Sequence, residues 1–262
     1  MDENGTDFAR SWAANAALLG GAGGLDLTEH DACGVGLVAA LDGKPRREVV
    51  QAGIDALKAV WHRGAVDADG KTGDGAGIHV EIPQDFFAEA LEHGGDRRRP
   101  GRIAVGMVFL PKTDLIAQER CRQIVETEIL AAGYAIYCWR QVPINVGCIG
   151  EKANATRPEI EQILLWNPRG TDDATYERDL YVIRRRIERQ AIAAQIPELY
   201  LCSLSCRSVI YKGMFLAEHL TEFYPDLLDG RFVSRFAIYH QRYSTNTRSE
   251  EPSCRERVCL KV

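Results

Sequence analysis

The stretch YLCSLSCRSVIYKGMFLAEHLTEFYPDLLDGRFVSRFAIYHQRYSTNT, residues 200–247, carries the reading that decides the fold. It opens on two short β-favouring runs, Leu199–Leu204 and Ser208–Lys212, close enough together to predict a hairpin pair. A third run, Val233–Tyr239, predicts another strand, and it leads directly into the polar cluster His240-Gln241-Arg242-Tyr243-Ser244-Thr245-Asn246-Thr247. A strand-end group of this kind can grip a carboxylate, the arginine by two hydrogen bonds and the hydroxyls by one each. A polar turn with a surface arginine is the plainer reading of the same residues.

Upstream, strand-like and helix-like segments alternate. Val35–Leu41 predicts a strand closed by the turn Asp42-Gly43, and Val50, Ile54, Leu57 and Trp61 form one stripe of a helix over 46–61. Ile78–Ile82 alternates as a half-buried strand should, a short helix follows Pro83, and Ile103–Leu110 reads as a buried strand. A helix is expected over 114–132 with Gly133 behind it, then strands over 134–142 and 160–166. The longest helix should span 176–195, with Leu180, Ile183, Ile187 and Ala191 inward and Arg184 to Arg186 mostly outward.

Composition excludes several classes. The chain has 262 residues, 45% of them apolar and 26% charged, an ordinary globular balance. No apolar run approaches the roughly 20 residues that a membrane helix needs. The net charge of -5, from 32 bases and 37 acids, argues against a nucleic-acid partner. Residues 1–32 hold six acids and one base, so 31 of each sign remain from Cys33 onward and the whole imbalance lies in a leader. Eight irregularly spaced cysteines and an N-terminus without a basic signal region point to a reducing cytoplasm.

Three local patterns could carry chemistry. Cys33 stands where the acidic leader ends, with Gly34 and Gly36 leaving room for another group to approach the backbone. Cleavage between Ala32 and Cys33 would put a thiol and a free α-amine on one residue. An amine with a pKa near ~7.7–8.0 can act as general base at neutral pH. A small buried cysteine at a strand start is the plainer alternative. The run Thr72-Gly73-Asp74-Gly75-Ala76-Gly77 suggests a phosphate loop, but it precedes a strand rather than opening a helix, so a dinucleotide site is rejected. Cys202 and Cys206, four apart, would make a zinc site only with two further ligands, His219 being one candidate; no metal is expected.

Taken together, Cys33-Gly34-Val35-Gly36, HRGAVDADGKTGDGAGI (62–78) and the stretch 200–247 resemble the N-terminal amidotransferase domain of the glutamate synthase large-subunit family, almost unbroken from His30 to Thr247. The resemblance implies an α+β fold, the four-layer αββα sandwich of the N-terminal-nucleophile hydrolases, and a class II glutamine amidotransferase. It implies Cys33 as nucleophile once a propeptide, residues 1–32, is removed. It also implies that Arg242 holds the α-carboxylate of L-glutamine, that Ser244 and Thr245 line the same wall, and that Arg63 lies beside the site. FMN and an iron–sulfur cluster belong to the full-length family enzyme and its synthase domain or small subunit; no cofactor is expected in this chain. Residues 248–262 match neither the aromatic-proline segment nor the Asn-Gly oxyanion hole that follow in the family. The sequence therefore reads as a domain over 33–247 with its C-terminal part missing and its glutaminase activity impaired. A non-catalytic remnant or glutamine-binding module is the alternative.

Overall fold

The structure, a computed structural model, describes residues 34–241. Within them, short β-favouring runs build two antiparallel sheets of four strands each. The first contains β1 (Gly34–Ala39), β2 (Ala76–Glu81), β7 (Ser208–Gly213) and β8 (Phe236–Gln241), in the order β1-β8-β2-β7. The second contains β3 (Ala104–Leu110), β4 (Ala135–Gln141), β5 (Glu159–Trp166) and β6 (Tyr200–Ser205), in the order β4-β5-β3-β6. Two antiparallel sheets with helices packed on them give the expected α+β class.

Four of the six described helices fall where the sequence predicts them, and two short ones, at 151–156 and 220–223, are not anticipated by it. The six are α1 (Arg47–Ala59), α2 (Gln84–His93), α3 (Leu115–Ala131), α4 (Glu151–Thr156), α5 (Asp173–Ala193) and the single turn α6 (Leu220–Phe223). Asp114 caps α3 by accepting from the Ala117 amide at 2.9 Å, and Asp172 caps α5 by accepting from Ala174 and Thr175. Gly133, at φ 80°, takes the left-handed conformation that ends α3. On α5 the buried residues are Leu180, Ile183, Ile187 and Ala191, the stripe read from the sequence, together with Tyr176.

Alternation along β3 and β5 divides the core in two. Val105, Met107 and Leu164 join a cluster with Ile54 of α1, Ile78 of β2 and Tyr211 of β7. Ala104, Val108, Ile163 and Leu165 join a second cluster with Val125 of α3 and Ile183 of α5. Burial on both faces is the reason β3 is apolar along its whole length, unlike a half-exposed strand.

A polar network lies within this apolar packing. Arg140 of β4 gives Asp226 two hydrogen bonds, at 2.8 and 2.7 Å, and a third at 2.8 Å to Gln162 of β5. The Gln162 amide donates to the Tyr211 hydroxyl at 2.9 Å, and that hydroxyl donates to Asp226 at 3.0 Å. Burial alone would lower the Arg140 pKa, but the Asp226 carboxylate outweighs it and holds the guanidinium above its ordinary value.

Two expectations are corrected. Trp61 does not extend the stripe of α1; the helix ends at Ala59, and Trp61 sits in a following 3-10 turn, 69% exposed. The runs at 199–204 and 208–212 are strands but not a paired hairpin: β6 pairs with β3 and β7 with β2. Local side chains satisfy the turn between them. The Ser205 hydroxyl accepts from the Arg207 and Ser208 amides, and Glu177 of α5 accepts from the Cys206 amide at 2.9 Å and from the Ser205 hydroxyl at 2.8 Å. With its polar groups satisfied from α5, the turn releases its two strands into different sheets.

Candidate active site

Cys33, Arg242, Ser244, Thr245 and the side chain of Arg63 lie outside the described residues, as do Cys254 and Cys259. The described backbone that leads to them converges on one corner of the first sheet. Gly34, bonded to Cys33, is the register partner of Gln241, bonded to Arg242. Gln241 is also the register partner of Ala76, at the exit of the glycine run. Gly64 completes the corner, because a Cβ there would overlap the Gln241 carboxamide. Only a glycine lets the 63–64 backbone lie this close to β8.

Gly36 has a visible use on the same face. A Cβ on Gly36 would run into the ring of Tyr239, its register partner, so the tyrosine lies across the strand where another residue would block it. Gln241, on the same face two residues on, is 1% exposed. Its Oε1 is buried with no hydrogen-bond partner among the described residues.

Between Gly64 and β2 the chain makes a tight loop. Val66 bridges to Gly73, the Asp67 amide donates to the Thr72 carbonyl at 2.9 Å, and the Asp74 amide donates to the Ala65 carbonyl at 3.2 Å. Asp69 closes the tip by accepting from the amides of Lys71 (3.0 Å) and Thr72 (2.7 Å) and from the Thr72 hydroxyl (2.5 Å). Gly73 rests on the backbone of Phe215, where a Cβ would stand 2.5 Å from its carbonyl carbon. The run is thus a packed turn that opens β2, and the rejection of a dinucleotide loop stands on that strand.

The hydrogen bonds from Thr72 hold the Asp69 carboxyl below the usual aspartate value. A group with a lowered folded pKa contributes stability above its unfolded pKa of about 3.9 and loses it as pH falls through the folded value. Acid titration followed by NMR should therefore show the Lys71 and Thr72 amides shifting together only below the ordinary aspartate range. Asp69→Asn should remove that transition.

The cysteine pair of the sequence is not brought to a common ligand set. Cys202 is buried in β6, its thiol against the Ile210 carbonyl at 3.6 Å. Cys206 donates its thiol to Glu177 at 3.2 Å, and burial, with that carboxylate, pushes its pKa up to about 12. Among the described residues no group of three or more His, Cys, Asp or Glu could hold a metal ion. A cleft of about 480 Å³ opens near Glu81, Arg102, Asp173, Arg207 and Arg235. It lies at the other end of β2, roughly 17 Å along the strand from Ala76. Two of its three arginines are paired, Arg235 with Glu81 and Arg102 with Asp173 at 2.7 Å. Sequence reasoning passed over Gln241, since a glutamine within a polar run carries no signal of its own.

Residues 33–255 match the family described as glutamine amidotransferases class-II. The chain is 66% identical over 244 residues to the glutamate synthase [NADPH] large chain of Azospirillum brasilense, covering 93% of this chain and 16% of that one. It is 43% identical over 233 residues to the ferredoxin-dependent glutamate synthase of Spinacia oleracea, covering 86% and 14%. With the glutamate synthase [NADPH] large chain of Bacillus subtilis it shares 39% over 224 residues, covering 84% and 14%. The chain thus spans 14–16% of the length of these relatives.

Proposed function

Because the chain belongs to the class-II glutamine amidotransferases, we propose that it is the glutaminase region of a glutamate synthase and hydrolyses L-glutamine to glutamate and ammonia. The observation that carries the reading is the corner at Gln241. There the backbone leading to the proposed nucleophile, to the proposed carboxylate-binding arginine and to the Arg63-Gly64 motif converges.

The chemistry starts with removal of residues 1–32, a boundary supported by the start of the family match at Cys33. The freed α-amine takes the thiol proton, and the Cys33 sulfur attacks the side-chain amide carbon of glutamine. The C–N bond breaks as the amine returns the proton to departing ammonia. Water then cleaves the γ-glutamyl thioester, giving glutamate and regenerating the thiol. Arg242 pairs with the substrate α-carboxylate, Ser244 and Thr245 line that wall, and Arg63 flanks it.

These steps need no metal or redox group. FMN, an iron–sulfur cluster and the use of the ammonia belong, in this reading, to the synthase domain or small subunit of the longer protein. Five free cysteines among the described residues fit a reducing cytoplasm, and no described helix is long and apolar enough to cross a membrane.

Intact-mass measurement with a coupled ammonia assay tests the proposal. The expected result is a chain starting at Cys33 that releases ammonia from glutamine but not from asparagine. A mass retaining residues 1–32 in an active protein would sink the N-terminal-nucleophile mechanism.

A further inference from the structure

Among the described residues, Gln241 brings to the corner of the proposed site a buried side-chain oxygen without a hydrogen-bond partner. Its backbone is paired on both sides, to Gly34 and to Ala76, and its carboxamide lies flat on Gly64. A buried polar atom without a partner is costly, so natural proteins keep such atoms where something binds them. Covalent geometry narrows what that can be. Register partners in an antiparallel pair have Cα atoms ~4.5–5.5 Å apart. The α-nitrogen of residue 33 is within about 5 Å of the Gly34 Cα whatever its torsions. A glutamine Oε1 reaches about 5 Å from its Cα and a hydrogen bond adds about 3 Å, so the contact is open to most, though not all, placements of that nitrogen.

We propose that Gln241 is a positioning residue for the nucleophile, its Oε1 accepting a hydrogen bond from the α-amine that leader removal creates on Cys33. In the uncleaved chain the same nitrogen is a peptide amide with a single hydrogen, fixed by the preceding residue. Cleavage turns it into a group with several hydrogens and a lone pair that must be aimed at the thiol. An acceptor held against Gly64 takes one hydrogen and leaves the lone pair directed. Gly64 therefore supports the amine through Gln241. This inference rests on the N-terminal-nucleophile reading above.

The test compares the mature protein with Gln241→Leu and Gln241→Glu by glutaminase kinetics over pH 5–10, alongside intact mass and thermal melts. An acceptor favours the charged amine, so its loss should lower the amine pKa, and a carboxylate in its place should raise it. The expected result is a fall in kcat of about tenfold for Gln241→Leu with KM little changed, the acidic limb of kcat/KM moving to lower pH. Gln241→Glu should move that limb to higher pH. Limbs unmoved in both variants would overturn the proposal, as would a rise in KM alone, which would assign Gln241 to the substrate. A loss of kcat that merely follows the loss of melting temperature would also overturn it. Activity retained by Cys33→Ala would instead overturn the nucleophile reading itself, so the two failures are separable.

Discussion

Cys33→Ala is expected to abolish glutamine hydrolysis, with kcat falling by on the order of 10⁴ or more and the melting temperature unchanged. The size follows from the covalent route: without the sulfur no thioester forms, and removal of a nucleophile in a covalent hydrolase costs as much as removal of the whole catalytic group. Binding is expected to survive, because the carboxylate grip is assigned to Arg242. Equilibrium dialysis with labelled glutamine should therefore show retention in Cys33→Ala and loss in Arg242→Ala. A glutamine-like electrophile provides a second readout. It should label one cysteine stoichiometrically, with glutamine protecting it, and peptide mapping should locate the label at Cys33. The five described cysteines are poor competitors, since burial raises the pKa of Cys121 to about 11 and of Cys206 to about 12. Labelling spread over several cysteines without protection would remove the basis for a single nucleophile.

The largest stability effect is expected at Asp226. Its carboxylate takes two hydrogen bonds from Arg140 and one from Tyr211, with its side chain only 5% exposed. Asp226→Ala leaves the guanidinium in an apolar surround with Gln162 as its remaining partner. Breaking one half of a buried pair typically costs about 3–5 kcal/mol. For a domain of this size that lowers the melting temperature by roughly 10 °C. Removing both charges is a different matter. The double variant Arg140→Met/Asp226→Leu should recover most of the loss, because Gln162 and Tyr211 still bond each other. Calorimetry on the two variants decides between a network needed for its charge and one needed for its shape.

Periodicity made most of the elements legible. The stripe of α5 and the alternation of β2 needed only side-chain spacing, because each element buries one or both faces against neighbours of fixed kind. Pairing was not legible in the same way. The runs at 199–204 and 208–212 look like a hairpin because hairpins are the commonest use of two short strands. What separates them is Glu177, on a helix some thirty residues upstream, which no local pattern announces. The segment 213–235 has no period, since its aromatic residues pack on one another: Phe223 lies 4.7 Å from Tyr224, and Phe215 5.0 Å from Phe223.

The site divides along the same line. Cys33, Arg63, Arg242, Ser244 and Thr245 drew attention because their functional groups are reactive or charged, and the family resemblance gave them roles. Gln241 has neither reactivity nor charge. Its place is visible only once β1, β8 and the 63–64 backbone are brought together.

The turn between β6 and β7 has a kinetic consequence. Strands joined by two residues must dock on partners far upstream, β6 on β3 and β7 on β2, with roughly a hundred residues or more between each pair. Neither docking can be completed without dragging the other strand into place. The two sheets should consequently form in one cooperative event and a slow one, given the chain lengths that must be closed. Unfolding followed by tryptophan fluorescence and by amide exchange in β2 should report a single shared transition, with no stage at which one sheet survives alone.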